Sequence, residues 1–142
     1  MDVGNTASRA STEAKLQTFA RFPAACPSRV VLSHVTSRWG VLVLLALEPG
    51  SMRWGELRRT IEGISEKMLA STLRTLEQDG IVHRAAQASI PPRVDYSLTE
   101  TGTELAARLL PLMDWILDNA DAIVARPTVT TPATDPGSQL HQ

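Results

Sequence analysis

Residues 54 to 98 carry one uninterrupted series of signals. Trp54, Leu57 and Ile61 recur at i, i+3 and i+7, the spacing of a short helix with one buried face. The connection Glu62-Gly63-Ile64-Ser65 follows, and then Leu69, Leu73 and Leu76 at i, i+4 and i+7 of a longer helix. Asp79-Gly80 stops that helix, glycine supplying the left-handed conformation past its end. Two runs with alternating apolar positions come next, Ile81 to about Ala88 and Arg93 to Leu98, joined by Ser89-Ile90-Pro91-Pro92. A chain with this order of parts must turn one stripe of each helix inward and close with a hairpin.

The longer helix is the most constrained element. Ser65 is a good N-cap, Glu66 places a negative charge in the first turn, and Ile64 and Leu69 have the spacing of a hydrophobic staple that sets the angle of entry. With the leucines inward, Lys67, Ser71, Arg74 and Gln78 lie on the opposite face, with Ala70 and Thr75 at its margins. Upstream, Leu32, Val35, Trp39 and Val43 share helical spacing and Val41 to Leu47 is apolar all round, which predicts a central core helix ending at Glu48-Pro49-Gly50. Met52 or its neighbour should open the short helix, leaving Arg53, Arg58 and Arg59 near solvent. Downstream, Thr99 caps a helix in which Leu105, Leu109, Leu112 and Ile116 form a seam backed by Met113 and Leu117, with a kink at Pro111. Such an apolar helix at the edge of a small domain predicts a second copy of the chain as its partner, with Leu105, Leu109, Leu112, Met113 and Ile116 as dimerisation residues.

The expected fold is mainly α with a small β-hairpin wing: a winged helix-turn-helix domain with N- and C-terminal dimerisation helices. A helix bracketed in this way can enter a DNA major groove while the hairpin flanks it. Its domain spans residues 23–126, after a flexible extension over 1–22 and before a disordered tail over 127–142 rich in Pro, Thr and Ser. No solenoid-type repeat is present. The net charge of −1 argues against nucleic acid only until its distribution is read. From Arg53 to Val94 seven Arg/Lys face five Asp/Glu, whereas from Asp95 onward two face seven, so the middle of the chain can still offer a basic face to phosphates.

Other classes find little support. The first residues lack the apolar stretch of a signal peptide and Val41–Leu47 is too short to span a bilayer, which predicts a cytoplasmic protein without a membrane partner. A single cysteine, Cys26, excludes an intrachain disulfide and a cysteine-rich zinc site. His34, His83 and His141 have no metal-ligand spacing, and Trp39, Trp54 and Trp115 suit core and interface anchoring better than a ligand cage. With no phosphate loop, nucleophile elbow or paired metal ligands, neither an enzyme nor a cofactor is expected.

In these residues the chain resembles the HxlR-type winged helix-turn-helix regulators, small dimeric bacterial DNA-binding proteins related in architecture to the MarR group. The matching landmarks are Cys26-Pro27, Trp39, Arg53-Trp54 with Glu56-Leu57-Arg58, Gly63-Ile64-Ser65 with Lys67-Met68-Leu69, Leu73 with Leu76-Glu77 and Asp79-Gly80, Pro91-Pro92-Arg93-Val94 with Tyr96-Ser97-Leu98-Thr99, and Gly102. Together they cover about 80 residues in order. Thr36-Ser37-Arg38 and Trp54 depart from the usual pattern in ways that look structural. Ala70-Ser71 stands where a Thr-Gln pair is frequent, so the side chains that would read bases are shorter. The resemblance implies a sequence-specific DNA-binding transcriptional regulator, a repressor, acting as a homodimer on a double-stranded DNA operator with inverted half-sites.

The implied DNA contacts are Ser65, Lys67, Met68, Ser71, Arg74 and Thr75 on the long helix, Arg58 on the supporting helix, and Arg84 and Arg93 on the wing. Arg74 suits a bidentate contact to a guanine edge and Lys67 a phosphate. The resemblance also implies that Cys26 senses oxidants or electrophiles, beside the plain alternative of a small packed side chain. A pocket between the dimerisation helices and each core could admit a small apolar effector. The rival is a winged-helix module whose outward face meets a protein.

Overall fold

The computed structural model describes residues 3–20 and 26–127. The elements run α1 (Val3–Ala20), α2 (Pro27–Val35), α3 (Arg38–Leu47), β1 (Met52–Arg53), α4 (Trp54–Thr60), α5 (Glu66–Gln78), β2 (Val82–Gln87), β3 (Arg93–Leu98) and α6 (Glu100–Val124). The chain divides into two compact units, Met1–Leu110 and Pro111–Gln142.

Within the first unit, the core gathers Val43, Leu44 and Leu47 of α3, Leu57 of α4, Leu69, Leu73 and Leu76 of α5, Val82 and Tyr96 of the sheet, and Leu109 of α6. The expected central helix is two helices. Thr36 and Ser37 break it because their side chains turn back on the preceding turn, Thr36 Oγ1 donating to the Leu32 carbonyl and Ser37 Oγ to that of His34. Ser37 Oγ then accepts from the Gly40 N–H as the N-cap of α3. The resulting angle between α2 and α3 is 69°. Among the described residues no single helix is long and apolar enough to cross a membrane.

The helix-turn-helix forms as its periodicity predicts. Ser65 caps α5 by accepting from the Met68 N–H at 3.1 Å, Ile64 and Leu69 on either side of the cap are both buried, and Gly80 takes φ +72° beyond the last turn. Instead of a simple hairpin, however, there is a three-stranded antiparallel sheet in the order β1-β3-β2, because Met52 and Arg53 pair with Tyr96 and Asp95 before α4 begins. Two residues are too short for a period-two signal, so only pairing with a distant strand makes them a strand.

Residues 3–20, expected as a flexible extension, form a helix whose side chains from Ser8 to Gln17 are exposed, so it adds nothing to the core over that stretch. Residues 128–142 and His141 among them lie outside the described residues. At the other end α6 continues as helix past Pro111. Its start is fixed by Thr99, whose Oγ1 donates to the Gly80 carbonyl at 2.6 Å and accepts from the Gly102 N–H at 3.1 Å.

Gly102 is required by proximity. A Cβ built there would lie 2.1 Å from the Ile81 carbonyl oxygen, a backbone atom that cannot swing aside. Gly102→Ala is therefore expected to cost about 1–3 kcal/mol through overpacking. Urea unfolding should show a lower midpoint at unchanged slope; a wild-type midpoint would mean that the α6 start relaxes without penalty.

Candidate nucleic-acid interface

Burial of Leu69, Leu73 and Leu76 turns the other side of α5 to solvent. Lys67, Met68, Ser71, Arg74 and Gln78 are exposed there, and Ala70 and Thr75 are half-buried at its edges. Ser65, also exposed, uses its oxygen as the cap acceptor and keeps its O–H as a donor. These residues lie on one face of a single helix, as the i, i+4 and i+7 spacing of Lys67, Ser71 and Arg74 requires.

The arginines and the lysine differ in what holds them. Arg58 Nη1 reaches Glu66 Oε1 at 2.9 Å, linking α4 to the first turn of α5 across an exposed surface where such a pair contributes little. Arg93 Nε lies 3.1 Å from Asp95 Oδ1. Among the described residues Lys67, Arg74 and Arg84 make no ion pair, so their charges are fully available to a partner.

The strand register separates the two wing arginines. Arg84 pairs with Tyr96, and Val82 with Leu98, so Arg84 stands on the sheet face that carries the buried Val82 and Tyr96. Arg93 pairs with Gln87 on the opposite face, where Gln87 Nε2 also donates to Asp95. Arg53 lies opposite Asp95 across β1 and β3, on that same face. The wing therefore offers Arg84 on one side and an Asp95-bound Arg93 on the other. A cleft of about 530 Å³ opens between Arg53-Trp54-Gly55 and the wing residues Gln87 to Val94.

A contact invisible in the sequence holds the far end of α5. His34 Nδ1 of α2 lies 2.8 Å from Asp79 Oδ2, the C-cap of α5, across 45 positions of sequence. No spacing rule in the sequence links them, because the pair forms only when α2 packs beside the end of α5. Ser33, His34, Ser37, Ser71 and Thr75 line the small cleft between this junction and α5.

Cys26 is a free, half-buried thiol at the N-cap position of α2, followed by Pro27 in the first turn. Nearby, Pro27, Val31, Leu32, Val35 and Leu105 line a largely apolar cleft of about 450 Å³. Of the five seam residues, Leu109 is buried in the core of its own chain and Leu105 packs partly against it, because the start of α6 lies on that core. Leu112 and Ile116 are exposed and Met113 is half-buried; Trp115 is 57% and Leu117 74% exposed. Trp39 and Trp54 pack against the core, whereas Trp115 does not.

The HxlR-like helix-turn-helix family matches residues 34–124, which span the α2–α3 junction, α4, α5, the wing and α6. The chain belongs to the HxlR-like helix-turn-helix family. The uncharacterized HTH-type transcriptional regulator YtfH of Escherichia coli (strain K12) is 52% identical over 104 residues, covering 73% of this chain and 82% of that protein. The structure of a ytfH regulator from Salmonella typhimurium superposes with a TM-score of 0.69 at 50% identity, covering 74% of this chain and 94% of the other. The redox regulator HypR in its oxidized form superposes with a TM-score of 0.62 at 37% identity, covering 66% and 97%. HxlR-like membership does not by itself say which side chains read bases.

The His34–Asp79 tie is expected to contribute about 1 kcal/mol. In urea unfolding His34→Ala and Asp79→Ala should each lose about that much, and the double variant no more than the larger single loss. Strictly additive losses would show that the two side chains do not act as a pair.

Proposed function

We propose that this HxlR-like protein is a sequence-specific DNA-binding transcriptional regulator that acts as a homodimer on an operator with inverted half-sites, repressing by occupying the DNA. The observation that carries this reading is the outward face of α5, where Lys67 and Arg74 are exposed and, among the described residues, without ion-pair partners, beside Ser65, Met68, Ser71 and Thr75. A rigid helix with two free cations and several short donors suits a major groove, with phosphates as the main source of affinity and base edges as the source of preference. Arg74 reads a guanine edge, Lys67 holds a phosphate near the helix start, and Arg84 meets backbone beside it. Arg58 and Arg93 are secondary contacts, since each must share its charge with Glu66 or Asp95. The exposed apolar residues Leu112, Trp115 and Ile116, with Met113, support pairing with a second copy, and a paired DNA face needs nothing further to block access to a promoter.

Release of the DNA is assigned to Cys26 or to a small apolar effector. Support for the thiol comes from its half-buried place at the start of α2 and from the similarity to HypR, a redox regulator by name; support for an effector comes from the apolar cleft beside Pro27.

Arg74→Ala should lose affinity for a fragment of the promoter region by about 1–3 kcal/mol and relax its sequence preference, whereas Lys67→Ala should weaken binding uniformly and flatten the salt dependence by about one unit. Mobility shifts at two salt concentrations, with two chains per duplex, check both. A folded Arg74→Ala that keeps affinity and preference would remove the assignment, and capture of a protein with no DNA affinity would favour an interaction module. For the signal, diamide or quinone treatment should lower the DNA affinity of the wild type and spare Cys26→Ser; identical responses would dispose of the sensor.

A further inference from the structure

The wing ends in an apolar point. Ile90 is 103% exposed, with no side chain covering it, at the tip of the five-residue loop between the paired Gln87 and Arg93. That loop reads Ala88-Ser89-Ile90-Pro91-Pro92 and contains no ionisable group. Its one hydroxyl is already used: Ser89 Oγ donates to the Pro91 carbonyl at 2.8 Å, while the Ser89 N–H donates to the Gln87 carbonyl at 2.9 Å. Two successive prolines restrict the chain immediately after Ile90. An exposed Ile on a disordered loop would be unremarkable, but here local hydrogen bonds and proline rings hold it out, so little further entropy is lost on contact.

The charges around the tip say what it approaches. Arg84 and Arg93 lie behind it on the two faces of the hairpin, and Arg53 lies on the Arg93 face across the sheet. A surface that brings phosphates to these arginines brings the groove between them to Ile90. The loop itself offers phosphate no free donor side chain, so its side-chain contribution is apolar. Branched aliphatic side chains serve this role where proteins insert wedges into the minor groove and partly unstack a base step.

We propose that Ile90 is a minor-groove wedge that enters DNA beside the half-site read by α5. This rests on the DNA-binding reading above and adds to it a division of labour within the wing: Arg84 supplies charge, and Ile90 supplies shape-dependent contact, favouring steps that unstack readily.

The test uses the full chain and an end-labelled duplex from the region upstream of its own coding sequence. Because the Ile90 side chain is fully exposed, Ile90→Ser should fold as the wild type does, verified by its urea midpoint. Loss of an aliphatic contact of this size should weaken binding about ten- to a hundredfold without changing the salt slope. Arg84→Ala should flatten that slope, and Ile90→Leu should retain affinity. Fluorescence energy transfer between the duplex ends should report bending by the wild type that is lost with Ile90→Ser at saturating protein. Wild-type affinity in Ile90→Ser, or weaker binding with the bend unchanged, would overturn the wedge while Arg74→Ala continued to report the α5 contact. A wild type with no salt-sensitive DNA binding would remove both.

Discussion

The orientation of the exposed face of α5, the surface proposed to meet DNA, depends on the contact between α5 and α3. Leu69, Leu73 and Leu76 are almost completely withdrawn from water and share a core with Val43, Leu44 and Leu47. Each such side chain stabilises its burial by about 1.5–3 kcal/mol. Turning α5 by a single residue, about 100°, would expose that stripe and bury Lys67 or Arg74 instead, at a far larger cost. A short amphipathic helix can therefore present cations to a groove with little freedom to roll. The energy that positions Arg74 comes from leucines on the opposite side of the same helix, and none of it from Arg74 itself.

Rolling is only one of the motions that must be stopped; the helix must also be held at its two ends. At the start, Ser65 satisfies the Met68 N–H and Ile64 packs inward just before it, so chain entry and first turn are held together. At the finish, Asp79 meets His34 from α2, and Gly80 and Ile81 hand their carbonyls to Thr99 at the start of α6. That last junction explains why Gly102 stands where it does: the turn of α6 above Ile81 passes too close to that carbonyl for any Cβ. The end of α5, the sheet and the first turn of α6 thus meet at one hydrogen-bonded corner.

Much of this was legible in order along the chain, for a physical reason that differs by element. The α5 leucines, the Ser65 cap and the Gly80 stop are local rules, satisfied within a turn or two, and the structure reproduces them residue by residue. The hairpin likewise follows from its alternation and its proline-rich turn. Where the reading failed, long-range partners decided. The apolar run from Leu32 to Leu47 has helical period throughout, yet Thr36 and Ser37 compete for backbone groups and divide it. Met52 and Arg53 became a strand only because β3 was there to pair with them. Leu109 matched the spacing of an interface seam, but the core of its own chain claimed it.

By itself, then, the sequence determined which face of α5 is apolar, where that helix begins and ends, and that a hairpin follows it, because periodicity, capping and turn chemistry act over a few residues. Only the tertiary structure decided which charges are free on that scaffold. Arg58 and Arg93 resemble Arg74 and Arg84 as letters in a chain, but Glu66 and Asp95 reach the first pair, and among the described residues no carboxylate reaches the second. Strand register put Arg84 and Arg93 on opposite faces, and left Ile90 standing between them at the tip. Ion pairing and sheet pleat are relations between residues brought together by folding, so the distinction between a solvated arginine and one already engaged appears only once the strands and helices have met.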